Sequence, residues 1–219
     1  MQKESAERIV LVTGGSRGVG AETAQRLAAP DTHVVVHYRN AAQRAQAVVD
    51  AITDAGGRAS SLRADIADEA ESAAMVDTIA ERFGRLDAVV LNASVHLEPG
   101  THAGHAMRIN REAQRRLAVM GLPLIRSGGR IVFVTNHQAH FYPLKAVPKG
   151  QTALAAGRWA GETTLYAMRS EFHRAGVHFT VVSGDSVDAS FADAVVNAVN
   201  SASPTGMVYV GGPEHRLIA

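Results

Sequence analysis

Short apolar runs alternate with longer stretches of helical period along nearly the whole chain. The first run, Arg8–Thr13 (RIVLVT), is continuous and β-branched, which predicts a buried strand. Gly18–Ala29 carries a helical pattern that Pro30 stops. His33–Tyr38 is a second strand, and Ala41–Ala55 a helix with Gly56 and Gly57 placed to end it. Arg58–Leu62 is a short third strand, followed by helix Asp68–Phe83 with Gly84 just beyond. Strand Leu86–Leu91, helix Met107–Leu122 and strand Arg130–Thr135 follow. One long helix is predicted over Thr152–Ala175, then strand Val177–Val182, helix Phe191–Asn200 and strand Met207–Val210.

Strands that are apolar throughout are buried on both faces, and helices between them supply the cover. The pattern therefore predicts an α/β fold, a doubly wound parallel sheet. No repeat, linker or low-complexity tract divides it, so a single domain over residues 1–219 is expected. Ligands of such sheets bind beyond the carboxyl ends of the strands.

One strand-to-helix turn is unusual in its chemistry. Thr13-Gly14-Gly15-Ser16-Arg17-Gly18-Val19-Gly20 joins the first strand to the first helix. Glycine permits the tight turn and lets the backbone approach a pyrophosphate, which then lies at the helix N-terminus. A glycine-rich turn holding nothing is the plain alternative. The second strand ends Tyr38-Arg39-Asn40, without the acid that binds ribose hydroxyls in NAD sites. Arg39 and Arg17 would instead flank the ribose and take a 2′-phosphate bidentately, which favours NADPH. Simple solvation of both arginines is the competing reading.

Composition narrows the rest. Of 219 residues, 46% are apolar and 20% charged, as in ordinary globular chains. The 22 basic and 21 acidic residues leave a net charge of +1, which argues against a nucleic-acid partner. With no cysteine, a disulfide scaffold, a thiolate metal site and a cysteine nucleophile are excluded. No apolar run reaches the roughly 18 residues that span a bilayer. Met1–Glu7 is polar and lacks a signal core, so no membrane association and a cytoplasmic location are expected.

Together these segments resemble the short-chain dehydrogenase/reductase family over about Arg8 to Gly212. TGGSRGVG matches the family's T-G-x-x-x-G-x-G, and Ala64-Asp65-Ile66 carries the acid that contacts adenine. Asn92-Ala93-Ser94 is similar to its N-A-G, and Asn110 to the asparagine of the following helix. The resemblance implies a Rossmann-like fold and an NADPH site. Its residues would be Gly14, Ser16, Arg17, Gly18, Val19, Gly20, Arg39, Asn40, Ala64, Asp65, Ile66, Asn92, Ala93, Ser94, Thr135, Arg158 and Gly184. A homo-oligomer is implied as well, paired through the helix that carries Trp159 and Phe172.

The family's usual catalytic set is Asn, Ser and Tyr-x-x-x-Lys, in which the tyrosine protonates the nascent alkoxide. Here Asn136 stands at the serine position, Leu154 at the tyrosine position and Arg158 at the lysine position. Leucine transfers no proton, whereas arginine stays charged and can bind ribose hydroxyls. Asn136 and His137 are expected to orient the substrate carbonyl, with Asn110 keeping its place in the catalytic set. Tyr142, His140, His96, His102 and His105 are further proton-donor candidates, while Tyr166 reads as packing. His137-x-x-His140 and His102-x-x-His105 have metal-ligand spacing but no third ligand, so no metal is expected. A route without a protein acid also exists. A phenol beside the ketone can hand its proton to the new alkoxide and remain as a phenolate, with a pKa near that of tyrosine, about 10.

Val182-Ser183-Gly184-Asp185-Ser186-Val187-Asp188-Ala189-Ser190 resembles the family's P-G-x-x-x-T, but the final helix follows almost at once. The substrate lid is therefore reduced and the cleft open to a bulky ligand. The long segment His137–Gly150 is read as a loop whose Phe141, Tyr142 and Pro143 either wall that cleft or only pack. Arg108, Arg111 and Arg115 share one helix face, a solvated or subunit-facing side. The expectation is an NADPH-dependent reductase of a bulky aromatic ketone, resembling an antibiotic-pathway branch of the family that acts on polyketides. Loss of the catalytic pair also fits a non-catalytic NADP(H)-binding sensor or pathway regulator.

Overall fold

Residues 8–94, 103–148, 150–185 and 189–211 are described by the structure, a computed structural model. His96, His102, Gly212 and the segment 186–188 lie outside them. The chain begins β1 (Arg8–Val12), α1 (Gly18–Arg26), β2 (Thr32–Tyr38), α2 (Ala42–Asp54), β3 (Arg58–Arg63), α3 (Glu69–Phe83) and β4 (Leu86–Leu91). It continues α4 (Ala103–Met107), α5 (Gln114–Gly121), β5 (Ile125–Thr135), α6 (His137–His140), α7 (Thr152–Ala167) and α8 (Arg169–Arg174). It closes with β6 (His178–Gly184), α9 (Ala189–Asn200) and β7 (Met207–Val210).

The strands form one seven-stranded parallel sheet in the order β3-β2-β1-β4-β5-β6-β7, as the apolar runs predict. Successive residues of β1 point to opposite faces. Ile9 and Leu11 join a core with Ile79, Leu117, Leu165 and Phe172, under α3, α5, α7 and α8. Val10 and Val12 join a second core with Val34, Ile52 and Val195, under α1, α2 and α9. Local chemistry sets the ends of α3. The Asp68 carboxylate accepts the Glu71 N–H at 2.9 Å, and Gly84 turns left-handed with φ +67°.

Four expectations are corrected. The helix expected over Thr152–Ala175 is two, because the backbone tightens at Met168, whose N–H bonds Leu165 at 3.1 Å; the redirected turn buries Met168 and Phe172. The helix expected from Met107 begins at Ala103 and contains a π turn over Arg108–Ala113. That turn pushes the Asn110 carbonyl outward against α7, where a Cβ on Gly161 would lie 1.9 Å from it. β6 runs on to Gly184, because Ser183 and Gly184 pair with Tyr209 and Val210 of β7. The segment read as a loop from His137 opens instead with the single-turn α6.

Candidate active site

The order of the sheet reverses between β1 and β4, so their carboxyl ends flank the crevice of a doubly wound fold. Thr13 ties the two together. Its Oγ1 donates to Val90 O at 3.1 Å and accepts the N–H groups of Asn92 at 2.9 Å and Ala93 at 3.0 Å. Asn92 Nδ2 donates back to Thr13 O at 3.0 Å and Gly14 O at 3.3 Å. The glycine turn is thus held against the end of β4. At Gly20 a Cβ would lie 2.4 Å from both Gly14 O and Asn92 Nδ2, so only glycine closes this corner. Gly18 is the opposite case: φ is +54°, and a Cβ there would meet nothing within 4 Å. α1 starts at that open space with no side-chain cap and no acid in its first turn. Its first N–H groups, bordered by Ser16, Arg17 and Val19, suit a pyrophosphate.

Sequence reading passes over His37, which is 2% exposed beneath this turn. Its Nδ1 accepts the Gly14 N–H at 3.1 Å, so Nε2 carries the proton that Ala64 O accepts at 3.0 Å. Only neutral imidazole can make both bonds. Burial pushes its pKa below the ordinary histidine value, outweighing Ala64 O and Asp65, which raise it. Ala64 and Ile66 are buried beside it, while Arg39 and Asn40 are exposed at the end of β2. The Arg39 guanidinium lies 3.9 Å from Asp65 Oδ2. Asp65 also accepts the Ala67 N–H at 3.0 Å, and its own N–H donates to Glu71 Oε2 at 2.7 Å.

On the other side of the crevice, α7 brings Leu154 and Arg158 one turn apart. Arg158 Nε and Nη2 both donate to Ser94 Oγ, at 3.0 and 2.6 Å. Burial pushes the guanidinium down to about 10, still charged at neutral pH. Among the described residues no carboxylate pairs with it. Asn110 is 2% exposed on the π turn, and its Nδ2 has no hydrogen-bond partner among the described residues. Gln114 Nε2 donates to Ala93 O at 2.7 Å, holding that loop. Thr135 is buried and its Oγ1 has no hydrogen-bond partner among the described residues, and Gly184 packs under β7, where a Cβ would be 3.0 Å from Val210 O.

The segment after β5 departs from expectation. Asn136 Oδ1 caps α6 by accepting the Ala139 N–H at 2.8 Å, which leaves only its Nδ2 to meet a carbonyl. His137 is 1% exposed, with Nδ1 2.9 Å from Ser183 Oγ and Nε2 3.1 Å from Val210 O. With both nitrogens engaged inside the fold, it positions β6 and β7 rather than reaching a substrate. His140 Nδ1 meets the buried Glu162 at 2.7 Å, and its Nε2 meets Tyr209 OH at 3.0 Å. Glu162 and Tyr209 carry no sequence signal that links them to His140. Phe141 stacks on Tyr209 at 6.1 Å and 7°, and Tyr142 packs against Trp159, so these rings pack rather than line an open wall. Tyr166 packs on Phe179, as expected. His105 lies partly buried on α4. Among the described residues no group of three or more His, Asp or Glu side chains could hold a metal ion.

Residues 8–200 match the profile of the short chain dehydrogenase family. A probable tetrahydroxynaphthalene reductase of Zymoseptoria tritici is 34% identical over 167 residues, 74% of this chain and 61% of that protein. The chain thus spans about three fifths of the length of that relative. Among solved structures, the promiscuous reductase LugOII, which catalyses keto-reduction at C1 during lugdunomycin biosynthesis, superposes with TM-score 0.83 and 27% identity. That match covers 95% of this chain and 96% of LugOII. A metagenomic short-chain oxidoreductase in complex with NADP superposes with TM-score 0.81 and 25% identity, covering 94% of this chain and 98% of that one.

Proposed function

The chain belongs to the short-chain dehydrogenase family, and on that premise we propose that it is an NADPH-dependent reductase of a bulky aromatic ketone in secondary metabolism. One observation carries the reading: the uncapped start of α1 faces open space at the glycine turn, at the switch point of the sheet. The naphthalene reductase and LugOII support the substrate class, and the NADP complex supports the cofactor. When bound, NADPH supplies the hydride. The backbone of Gly14–Gly20 would hold its pyrophosphate, Arg39 and Arg17 its 2′-phosphate, and Arg158 its nicotinamide ribose.

The finer proposal concerns the proton. Leu154 occupies the position where the family's tyrosine is expected, one turn before Arg158, and it has no proton to give. We assign that proton to a phenol flanking the substrate carbonyl. The phenol polarises the carbonyl through its hydrogen bond and transfers the proton to the alkoxide. The protein's share is positioning and exclusion of water, with Asn136 Nδ2 and Asn110 as the amides at the site. An angucyclinone of the type made on simocyclinone-like pathways is the specific ketone proposed.

The test follows deuterium from each stereoisomer of 4-deuterated NADPH into a phenol-flanked polycyclic ketone. Label from one isomer only is expected, and methylating the phenol should abolish turnover. No label across a panel of such ketones, with NADPH still bound, would instead favour a sensor or regulator.

A further inference from the structure

Arg158 is charged and partly buried, and among the described residues no carboxylate pairs with it. Its Nε and Nη2 both donate to the same neutral oxygen, Ser94 Oγ, at 3.0 and 2.6 Å. A guanidinium has five N–H groups, and a hydroxyl neutralises none of its charge. A cation taken out of water without a counter-charge is costly, so such a site favours whatever ligand brings one. The cofactor does not bring it here. On the reading above, its pyrophosphate would lie at the start of α1 and its 2′-phosphate at Arg39. Its ribose hydroxyls are neutral. The reaction does produce an anion. As the carbonyl carbon accepts hydride, the C=O π pair becomes a lone pair on oxygen. That oxygen takes the phenol proton, and the O–H bonding pair stays on the phenol oxygen as negative charge.

We propose that Arg158, oriented by Ser94, is the anion receptor of the substrate cleft and holds the phenolate oxygen of a phenol-flanked aromatic ketone. The assignment rests on the ketoreductase reading and adds a subsite to it. Leu154, one turn away on α7, leaves no hydroxyl to compete for that oxygen. The planar guanidinium also matches an oxygen pair, so it can hold the phenolate and the adjacent carbinol oxygen together.

The test reads ionisation rather than turnover. A hydroxyanthraquinone with one phenol beside the ring carbonyl is bound to the protein in the presence of NADP+, and its phenolate absorption is followed against pH. The expected midpoint of the bound probe is lower than that of the free probe by about 1–3 units. Arg158→Gln removes the shift, and Arg158→Lys, which keeps charge without the fork, retains part of it. Circular dichroism and melting confirm that each variant is folded. An unshifted midpoint in the wild-type protein overturns the proposal, as does a shift that persists in Arg158→Gln. Failure of the wild type to bind the probe overturns it too. The deuterium experiment separates the two readings. A probe bound as phenolate but never reduced upholds the receptor and removes the reductase. Labelled alcohol with an unshifted midpoint does the reverse.

Discussion

His37 joins the glycine turn to the adenine side of the crevice through Gly14 N–H and Ala64 O, and both bonds require the neutral ring. A histidine whose folded pKa is depressed binds fewer protons folded than unfolded. Its contribution to stability is complete above the ordinary value of about 6.5 and is lost as pH falls below it. Acidification from pH 7 to 5 should therefore lower the melting temperature of the wild-type protein more than that of His37→Phe. At neutral pH the variant should lose about 1–3 kcal/mol, because the Gly14 N–H is left without an acceptor. NADPH affinity should follow the same pH dependence, measured by cofactor fluorescence. Arg39 makes a separable prediction. Arg39→Ala should weaken NADPH roughly 10- to 100-fold and leave NADH nearly unchanged, since only the 2′-phosphate needs the cation. Arg158 carries the opposite sign for the ligand-free chain. Arg158→Met removes a partly buried charge that no carboxylate pairs among the described residues, and a gain of roughly 1 kcal/mol would raise the melting temperature by about 2–4 °C.

Between elements, the decisive contact is α7 against the π turn. Gly157 faces Ala106 O, where a Cβ would be 3.2 Å away, and Gly161 faces Asn110 O at 1.9 Å. A methyl group at Gly161 would force α7 off the turn and move Leu154 and Arg158 with it. Gly161→Ala should cost about 1–3 kcal/mol by denaturant titration and also weaken ligand binding. Gly104 is the control: it is exposed on α4 with nothing within 4 Å of an added Cβ, so Gly104→Ala should be neutral or stabilising by up to about 1 kcal/mol. α6 depends on its cap, and Asn136→Ala should cost about 0.5–2 kcal/mol by the same titration. Because α6 carries His137 and His140, that loss reaches β7 through Val210 O and Tyr209 OH.

On the scale of the molecule, one parallel sheet with helices on both faces puts every strand's carboxyl end on one side, where the glycine turn, Ser94, Asn136 and Gly184 gather. Val119 on α5 is 42% exposed beside Arg111, Arg115 and Arg116, and Trp159 on α7 is 38% exposed. We propose these exposed residues as the contact of a homo-oligomer. Sedimentation should then show more than one chain per particle, with Trp159→Glu shifting it toward the monomer. Much of this organisation was readable from the chain itself. Period and β-branching located the strands, though β5 begins earlier, at Ile125, and the longer helices, and glycine spacing located the turn, because these follow from neighbours a few residues apart. The two-helix break at Met168 had no such signal, since neither glycine nor proline marks it. The polar assignments were less legible for the same reason. Asn136 and His137 were recognisable as residues beyond a strand, but capping of the four-residue helix α6 and a bond to Val210, 73 residues away, decided where their atoms point. Glu162 and Tyr209 meet His140 across 22 and 69 residues, and His37 meets Ala64 across 27. Local sequence thus determined which elements form and where a phosphate would be met. Only tertiary packing decided which polar groups are already satisfied and which, like Arg158, have no partner of opposite charge among the described residues.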